Sequence, residues 1–442
     1  MPRARNPQPL FPNFDRSSFG SLRDGAKDKL VDLFLRWTFG RPDHTGNARR
    51  LRDGQWLPMQ PHFWRGEHPL GEGGMGIVHL WCCVDDNNRI RDRVIVKQVH
   101  PGARTFQRRD VWRNGQIGGE PRESMLGNEV YDNLEASAPG DGKFVTQCLG
   151  YGGMQDPLPE VSAMTGNTIY RAIAAYKLYI EYCPFGDLRD AIIRQREARE
   201  PFHEGFIWMT FEALAECAVA MDQSKIVHSD ITTSNILLSN SDPERFKIWP
   251  IPKLSDFGSS RIIDGAARRR LTGHDEAMHP YFTPPELTRD DANFGWAVPG
   301  LYVTNKTNVW SIGLIICCLM RLQPQLPETV RIDDEPPQPI DRQLRFDILH
   351  QREIKKLQHS SANYSVELRK LVRSCVKYDP ARRPSPKQLL KAVRRLMDGR
   401  VGGFDTYGRG FGRIPWNKKE RLRGKLKDIW AVGTETDIRL RP

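Results

Sequence analysis

"IVHSDITTSNILL", residues 226–238, is the stretch whose reading decides the fold. Two short apolar runs flank a polar loop in which Asp230 and Asn235 stand five residues apart. Such runs, bounded by polar clusters, read as strand edges, and "NILL" reads as a strand leaving the loop. After an intervening stretch comes "KLSDFGSSR", in which Asp256 precedes Phe257 and Gly258. Asp230, Asn235 and Asp256 therefore bring three oxygen-bearing side chains to two neighbouring strand–loop edges. That set suits hard, oxygen-loving Mg²⁺, with one carboxylate left for a hydroxyl. Any one of the three alone would read as a turn or cap residue. All three, in this order, are hard to reach by chance.

Upstream, "LGEGGMGIV" sets Gly71, Gly73 and Gly76 in G-x-G-x-x-G spacing, with Val78 two residues on. Glycines let backbone N–H groups approach phosphates that a Cβ would hold away. Taken alone, this is equally a Gly-rich hairpin turn. A dinucleotide fold would want a helix directly after it; here "IVHLWCCV" reads as another strand, which fits a hairpin covering phosphates. Then comes "VIVK", where Lys97 ends a β-branched run. A lone strand lysine is usually a surface residue, but its place after the Gly-rich hairpin makes Lys97 a candidate phosphate ligand. Such a lysine needs a carboxylate. In the following helix, "ESMLGNEVYDNLEAS" (123–137), Glu129 is the first choice and Glu123 the second. "FVTQCLGYG" and "YKLYIEYC" read as further strands, with "MQDPLPEVSAMTGN" between them as a loop insertion. After Cys183 helices dominate: "PFGDLRDAIIRQREA" with Asp187 near its start, the long "FIWMTFEALAECAVAMDQS", and three more at 306–321, 365–377 and 386–397.

From about residue 64 to 398 the chain resembles a eukaryotic-type protein kinase domain. The resemblance rests on the motifs above and on later landmarks. "FTPPEL", with Pro285 and Glu286, resembles the segment that closes the activation loop. "NVWSIG" resembles the start of the central buried helix. In "DPARRP", Arg383 is expected to pair with Glu286. "IEYCPFGDL" resembles the hinge, with Ile180 as gatekeeper. The resemblance implies an α+β, two-lobed fold, with a small antiparallel β-rich N-lobe (64–183) and a larger helical C-lobe (184–398). An N-terminal extension (1–63) with one short helix at 27–37 would precede it, and a Gly-rich, basic tail (399–442) would follow.

It also implies roles. Gly71, Gly73, Gly76 and Val78 would cover ATP, and Lys97 would contact its α- and β-phosphates and pair with Glu129. Glu181 and Cys183 would offer backbone hydrogen bonds to adenine, with Leu237 packed beneath the ring. Asp230 would orient the acceptor hydroxyl and accept its proton, while Asn235 and Asp256 would hold Mg²⁺. The expected reaction is transfer of the γ-phosphate of ATP to serine or threonine hydroxyls of a protein substrate.

Several supporting positions depart from the family pattern. Ser229 stands where an arginine usually receives a phosphorylated activation-loop residue, so a phospho-switch there is not expected. Thr232 stands where a lysine usually steadies the γ-phosphate. Ile95 replaces a small residue near adenine, Asn308 replaces an aspartate that braces the catalytic loop, and His279 lies near a usual threonine. These departures keep a second reading open: a pseudokinase acting as a nucleotide-binding or scaffold module. Such modules tend to lose at least one of Lys97, Asp230, Asn235 and Asp256, and here all four are present. A small-molecule phosphotransferase of related fold would lack the "PPE" and "DPARRP" landmarks.

The composition bounds the rest. Over 442 residues the net charge is +12 and the pI about 9.3. That charge favours acidic partners, or is simply a solvated basic surface. The basic stretch at 417–428 allows a nuclear localisation signal or an anionic-surface contact, and Arg268–Arg270 an acidic substrate; nucleic acid is not expected as a partner. Eight cysteines without a C-x-x-C pair argue against zinc and against a disulfide framework, so reduced thiols are expected. The longest apolar run, "VWSIGLIICCLM", is too short to span a bilayer, and no secretory signal is visible. An intracellular protein, cytoplasmic or nuclear, is the expectation.

Overall fold

The computed structural model of the chain describes residues 64–73, 76–84, 90–155, 159–161, 168–170, 175–183, 185–239, 249–263, 289–290, 295–296, 303–325 and 364–399, with single positions at 282, 284 and 286. Several expectations lie outside these residues: the helix at 27–37, the turn Asp85–Arg89, the arginines 268–270, His279, Pro285, the Pro-rich stretch 329–344 and the basic tail. The described residues form two compact units. One holds those up to Asn128 together with Thr146–Tyr182; the other holds Glu129–Val145 and those from Cys183 onward.

The first unit is built on one antiparallel sheet. Its strands are β1 (Trp64–Gly73), β2 (Gly76–Val84), β3 (Ile90–Val99), β4 (Cys148–Gln155) and β7 (Ala175–Glu181), in the order β1-β2-β3-β7-β4. Between β4 and β7 the expected loop insertion holds its own small antiparallel ladder, β5 (Pro159–Val161) with β6 (Thr168–Tyr170). The strand expected from Phe144 starts later. Asp141–Phe144 is a 3₁₀ turn, and Val145, like it a residue of the second unit, bridges Leu254 of that same unit. Directly paired residues share a face of an antiparallel sheet. Val99, Tyr176 and Leu178 lie on one such face, where Phe106 and Trp112 pack on them.

Phe106 and Trp112 belong to the stretch after β3. It forms a short helix, α1 (Ala103–Phe106), and two 3₁₀ turns (Arg109–Val111 and Arg113–Gly115), and leads into α2 (Arg122–Ser137). α2 is divided between the two units.

The second unit is helical. α3 (Leu188–Ala198) is capped by Asp187, whose carboxylate accepts from the Asp190 N–H. Burial holds the Asp187 carboxyl up at about 6. α4 (Glu204–Gln223) and α5 (Lys306–Arg321) are buried almost all round, as core helices of a large unit are. α6 (Val366–Cys375) and α7 (Pro386–Gly399) pack on that core. Two carboxylates on α4, Glu212 and Glu216, are buried but bonded by Arg394 of α7. Among the described residues Cys148, Cys183, Cys217, Cys317, Cys318 and Cys375 form no disulfide, and burial pushes the Cys148 thiol up to about 11 and the Cys317 thiol up to about 12. Among the described residues no helix is long and apolar enough to cross a membrane.

Candidate active site

In the second unit the opening stretch is held by two ladders. β8 (Ile226–Val227) pairs with β11 (Arg261–Ile262), and β9 (Ile236–Ser239) pairs with β10 (Ile251–Leu254). Between β8 and β9 lie Asp230 and a 3₁₀ turn, Thr233–Asn235; just after β10 lies Asp256. The structure joins Asp230 to Asn235 directly and ties the segment that carries Asp256 to the Asn235 backbone. The Asn235 amide nitrogen donates to the Asp230 carboxylate at 2.8 Å and to the Asp230 carbonyl at 2.9 Å. Ser255, the residue before Asp256, donates its N–H (2.9 Å) and its hydroxyl (3.0 Å) to the Asn235 carbonyl. Asp256 takes left-handed backbone angles, φ +61°, and accepts from the Gly258 N–H. That conformation is uncommon outside glycine, and short polar side chains that bond locally tolerate it best.

His228 fastens this arrangement. It is fully buried. Its Nδ1 accepts from the Asp230 N–H at 3.3 Å, which leaves Nε2 to donate to the Ser255 carbonyl at 3.1 Å. Its ring packs on Phe257 with centroids 4.7 Å apart. Asn308, at the start of α5, takes both sides of the loop's base: its Oδ1 accepts from the His228 N–H at 3.0 Å, and its Nδ2 donates to the Ile226 carbonyl at 2.9 Å. An aspartate could make only the first of these bonds.

The altered positions also have a place. Ser229 has φ +65°, and its hydroxyl is buried with no hydrogen-bond partner among the described residues. Thr232 is buried and carries no charge. Thr233 donates to the Pro324 carbonyl at 2.6 Å. Leu237 lies opposite Asp187 in an isolated bridge. Further along, Arg383 forms the expected pair with Glu286. Two parallel bonds of 2.6 and 2.8 Å join them, both side chains are wholly buried, and Thr307 donates to the same carboxylate. Arg383 also bonds the Lys377 and Tyr378 carbonyls and stacks over Trp310.

In the first unit, register lines up Gly71, Val78 and Lys97 in one row across β1, β2 and β3. Gly76 pairs with Val99, and a Cβ on it would meet the Gln98 carbonyl oxygen at 2.0 Å. Close approach of β3 is therefore enough to require that glycine. Ile95 faces Ile180 across the β3–β7 ladder. Glu181 is tied to Gln147 twice, its N–H donating to the Gln147 carbonyl and its carboxylate accepting from the Gln147 N–H.

Lys97 corrects the sequence reading. Its ammonium pairs at 2.5 Å with Glu123, not with the first choice, Glu129. Six residues along a helix is a rotation of roughly 600°, which leaves Glu129 about 120° off the side that Glu123 presents. The helix begins at Arg122, so Glu123 stands in its first turn. One signal would have pointed there: Pro121 marks the helix start, and a carboxylate in a first turn is favoured by the helix dipole.

Comparison with known proteins agrees with these landmarks. A model of the protein kinase domain matches residues 164–393. The chain belongs to the protein kinase domain family. Its relatives include the mouse serine/threonine-protein kinase Nek9, 26% identical over 230 residues, covering 50% of this chain and 20% of that protein. The probable serine/threonine-protein kinase nek2 of Dictyostelium discoideum is 26% identical over 219 residues, covering 48% of this chain and 44% of that protein. The mouse serine/threonine-protein kinase Nek5 is 30% identical over 146 residues, 33% of this chain and 20% of that protein. This kinase domain thus spans less than half the length of each of these relatives. Among solved structures, a chain of the CAK complex from Chaetomium thermophilum bound to ATP-γ-S is 17% identical, with 74% of this chain and 90% of that chain covered and a TM-score of 0.46.

Proposed function

We propose that this kinase domain is an active, Mg²⁺-dependent protein kinase that transfers the γ-phosphate of ATP to serine or threonine hydroxyls. The observation that carries the reading is the Asp230–Asn235 hydrogen bond, joined through the Asn235 carbonyl to the segment bearing Asp256. In phosphoryl transfer the protein supplies mainly positioning and electrostatics, so a few fixed groups suffice.

In the proposed step, an acceptor oxygen forms a bond to the γ-phosphorus as the bond from that phosphorus to ADP breaks. The hydroxyl proton goes to Asp230, whose carboxylate Asn235 holds in orientation. Lys97 lies along the phosphates, held by Glu123 in the role first given to Glu129. Gly71, Gly73, Gly76 and Val78 cover the nucleotide; Leu237 and the backbone of Glu181 and Cys183 receive adenine. Magnesium, when bound, neutralises phosphate charge. The donor set fits it: Asn235 spends its amide nitrogen on Asp230 and keeps its oxygen for a ligand, Asp256 adds a carboxylate, and Mg²⁺ takes its remaining oxygens from phosphate and water.

With Ser229 and Thr232 carrying no charge, activity would not wait on a phosphorylated activation loop, and it would run without the lysine usual at the γ-phosphate. The pseudokinase reading rests on these two residues together with Ile95, Asn308 and His279.

The test is label transfer from ATP to a panel of general protein substrates, with Mg²⁺, by the full chain beside Asp230→Asn. Transfer by the wild type and a fall of about 10²- to 10⁴-fold in the variant is the expected result. Absence of transfer with a thermal shift on adding Mg²⁺-ATP would favour the scaffold reading; absence of both would overturn the ATP site.

A further inference from the structure

We infer that residues 101–121 are a built-in clamp for the first turn of α2, with Trp112 and Glu120 as positioning residues that set Glu123 against Lys97. This deepens the kinase reading and rests on Lys97 serving ATP.

Lys97 and Glu123 are 26 residues apart in sequence, and beyond the last two residues of β3 everything between them lies in the connecting stretch or the start of α2. A free connection of that length would leave the helix start undefined, yet this one is folded. Gly102 turns the chain at φ +77°, and the Phe106 N–H bonds back to the Gly102 carbonyl at 2.9 Å. Trp112 then drives into the sheet. It is almost wholly buried, its indole N–H donates to the Phe106 carbonyl at 2.7 Å, and its ring meets Phe106 and Tyr176 edge-on at 4.9 and 5.5 Å. So the connection is anchored by a large aromatic residue on strand β7, next to the strand that carries Lys97.

From that anchor the chain reaches α2 through a closed loop. Trp112 bridges Pro121, and the Arg113 N–H donates to the Glu120 carbonyl at 2.8 Å, so both ends of the loop are pinned to the same spot. Glu120 is buried, and its carboxylate is shared: one oxygen accepts from Arg113 at 2.7 Å, the other from the Ser124 hydroxyl at 3.2 Å. Ser124 is the neighbour of Glu123. A buried carboxylate without its donors is costly, so this pair of bonds holds the first helical turn at a fixed distance from Trp112. The helix start is set by this chain's own residues.

The test compares wild type, Glu120→Gln, Trp112→Phe and Glu123→Gln in the full chain. Glu120→Gln keeps the shape and removes the charge; Trp112→Phe keeps an aromatic anchor and removes the N–H donor, so neither needs the sheet to refold. Two readouts are used. The first is the rate at which acetic anhydride labels Lys97, followed by mass spectrometry with buried Lys253 as internal reference. A mostly buried ammonium held by a carboxylate acylates slowly. Glu120→Gln and Trp112→Phe are expected to speed Lys97 labelling several-fold, toward the Glu123→Gln rate, with Lys253 unchanged. Equal labelling in wild type and both clamp variants, or a parallel rise at Lys253, would overturn the inference, whether or not the chain has activity. The second is kinetics: a fall in kcat/KM for ATP of about tenfold in the clamp variants is expected, since small misplacements of a positioning group cost rate. Full wild-type activity with full kcat/KM in both clamp variants would overturn the clamp and leave the kinase reading standing. An inactive wild type would overturn the kinase reading, and labelling alone would then decide the clamp.

Discussion

Two ion pairs in this molecule look alike on paper and are built in opposite ways. Arg383 and Glu286 meet through two parallel bonds, both side chains at 0% exposure, with every remaining donor of the fork given to backbone carbonyls or a tryptophan face. Lys97 and Glu123 meet through one bond, at 15% and 9% exposure. The first pair is locked from all sides, and its loss would leave a charge stranded in the core. The second joins a compact, rotatable ammonium to a helix whose first turn is set from outside the pair. The difference teaches what each pair is for: a planar guanidinium fork fixes a structure, while an ammonium on a flexible stem is a compact point charge that can turn toward a ligand.

The largest test of that contrast is Arg383→Ala. It should destabilise the second unit by about 3–5 kcal/mol, as breaking a buried pair does, and Arg383→Lys should restore little of it because the bidentate fit is gone. Chemical denaturation followed by tryptophan fluorescence checks both. Glu123→Gln should behave in the reverse way. It should lower kcat/KM for ATP by about 10²-fold, as losing a positioning group does, while costing only about 1 kcal/mol in the same denaturation measurement. A Glu123→Gln protein that unfolded as easily as Arg383→Ala would erase the distinction.

A third change asks whether a neutral brace can match a charged one. Family pattern would favour an aspartate at 308, but the bond from Asn308 to the Ile226 carbonyl needs a donor. Asn308→Asp should therefore destabilise by about 1–3 kcal/mol, through an unsatisfied buried carbonyl and a new buried charge, and a thermal melt would reveal it. The smallest effect concerns Asp187, a mostly buried acid whose carboxylate caps α3 by accepting from the Asp190 N–H. Its folded-state value of about 6 lies above its ordinary 3.8. The folded chain thus holds that proton more tightly, so the contribution is fully present below the ordinary value and is lost as pH rises through about 6. Asparagine caps a helix equally well without a charge to desolvate. Asp187→Asn should gain about 1 kcal/mol over wild type at about pH 8, and the gain should vanish at about pH 4, as melts at the two pH values would record.

The sequence told some of this better than the rest. The Asp230–Asn235 contact was legible because five residues of loop leave few ways for the two side chains to miss each other, whereas the segment bearing Asp256 joins them only through the β9–β10 pairing. Glu286 with Arg383 was legible only through family likeness, since nothing nearby in sequence joins residues so far apart. The partner of Lys97 was misread because both candidates are glutamates on one helix. Choosing between them needs the helix's starting point, and that is set by Trp112, Pro121 and Glu120 through contacts of no regular period. The ladder of β5 and β6 was missed for a similar reason: three-residue strands carry too little alternation to show.

The β9–β10 ladder has a practical consequence. Ser239 faces Ile251, and the register then runs unbroken to Ile236 opposite Leu254. The alignment of Asn235 with Asp256 is therefore carried by strand pairing, and the length of chain joining the two strands does not set it. Closing a longer connection costs little, because that cost grows only with the logarithm of length. Strand pairing, rather than chain length, is thus what keeps the chemistry on either side of the ladder in step.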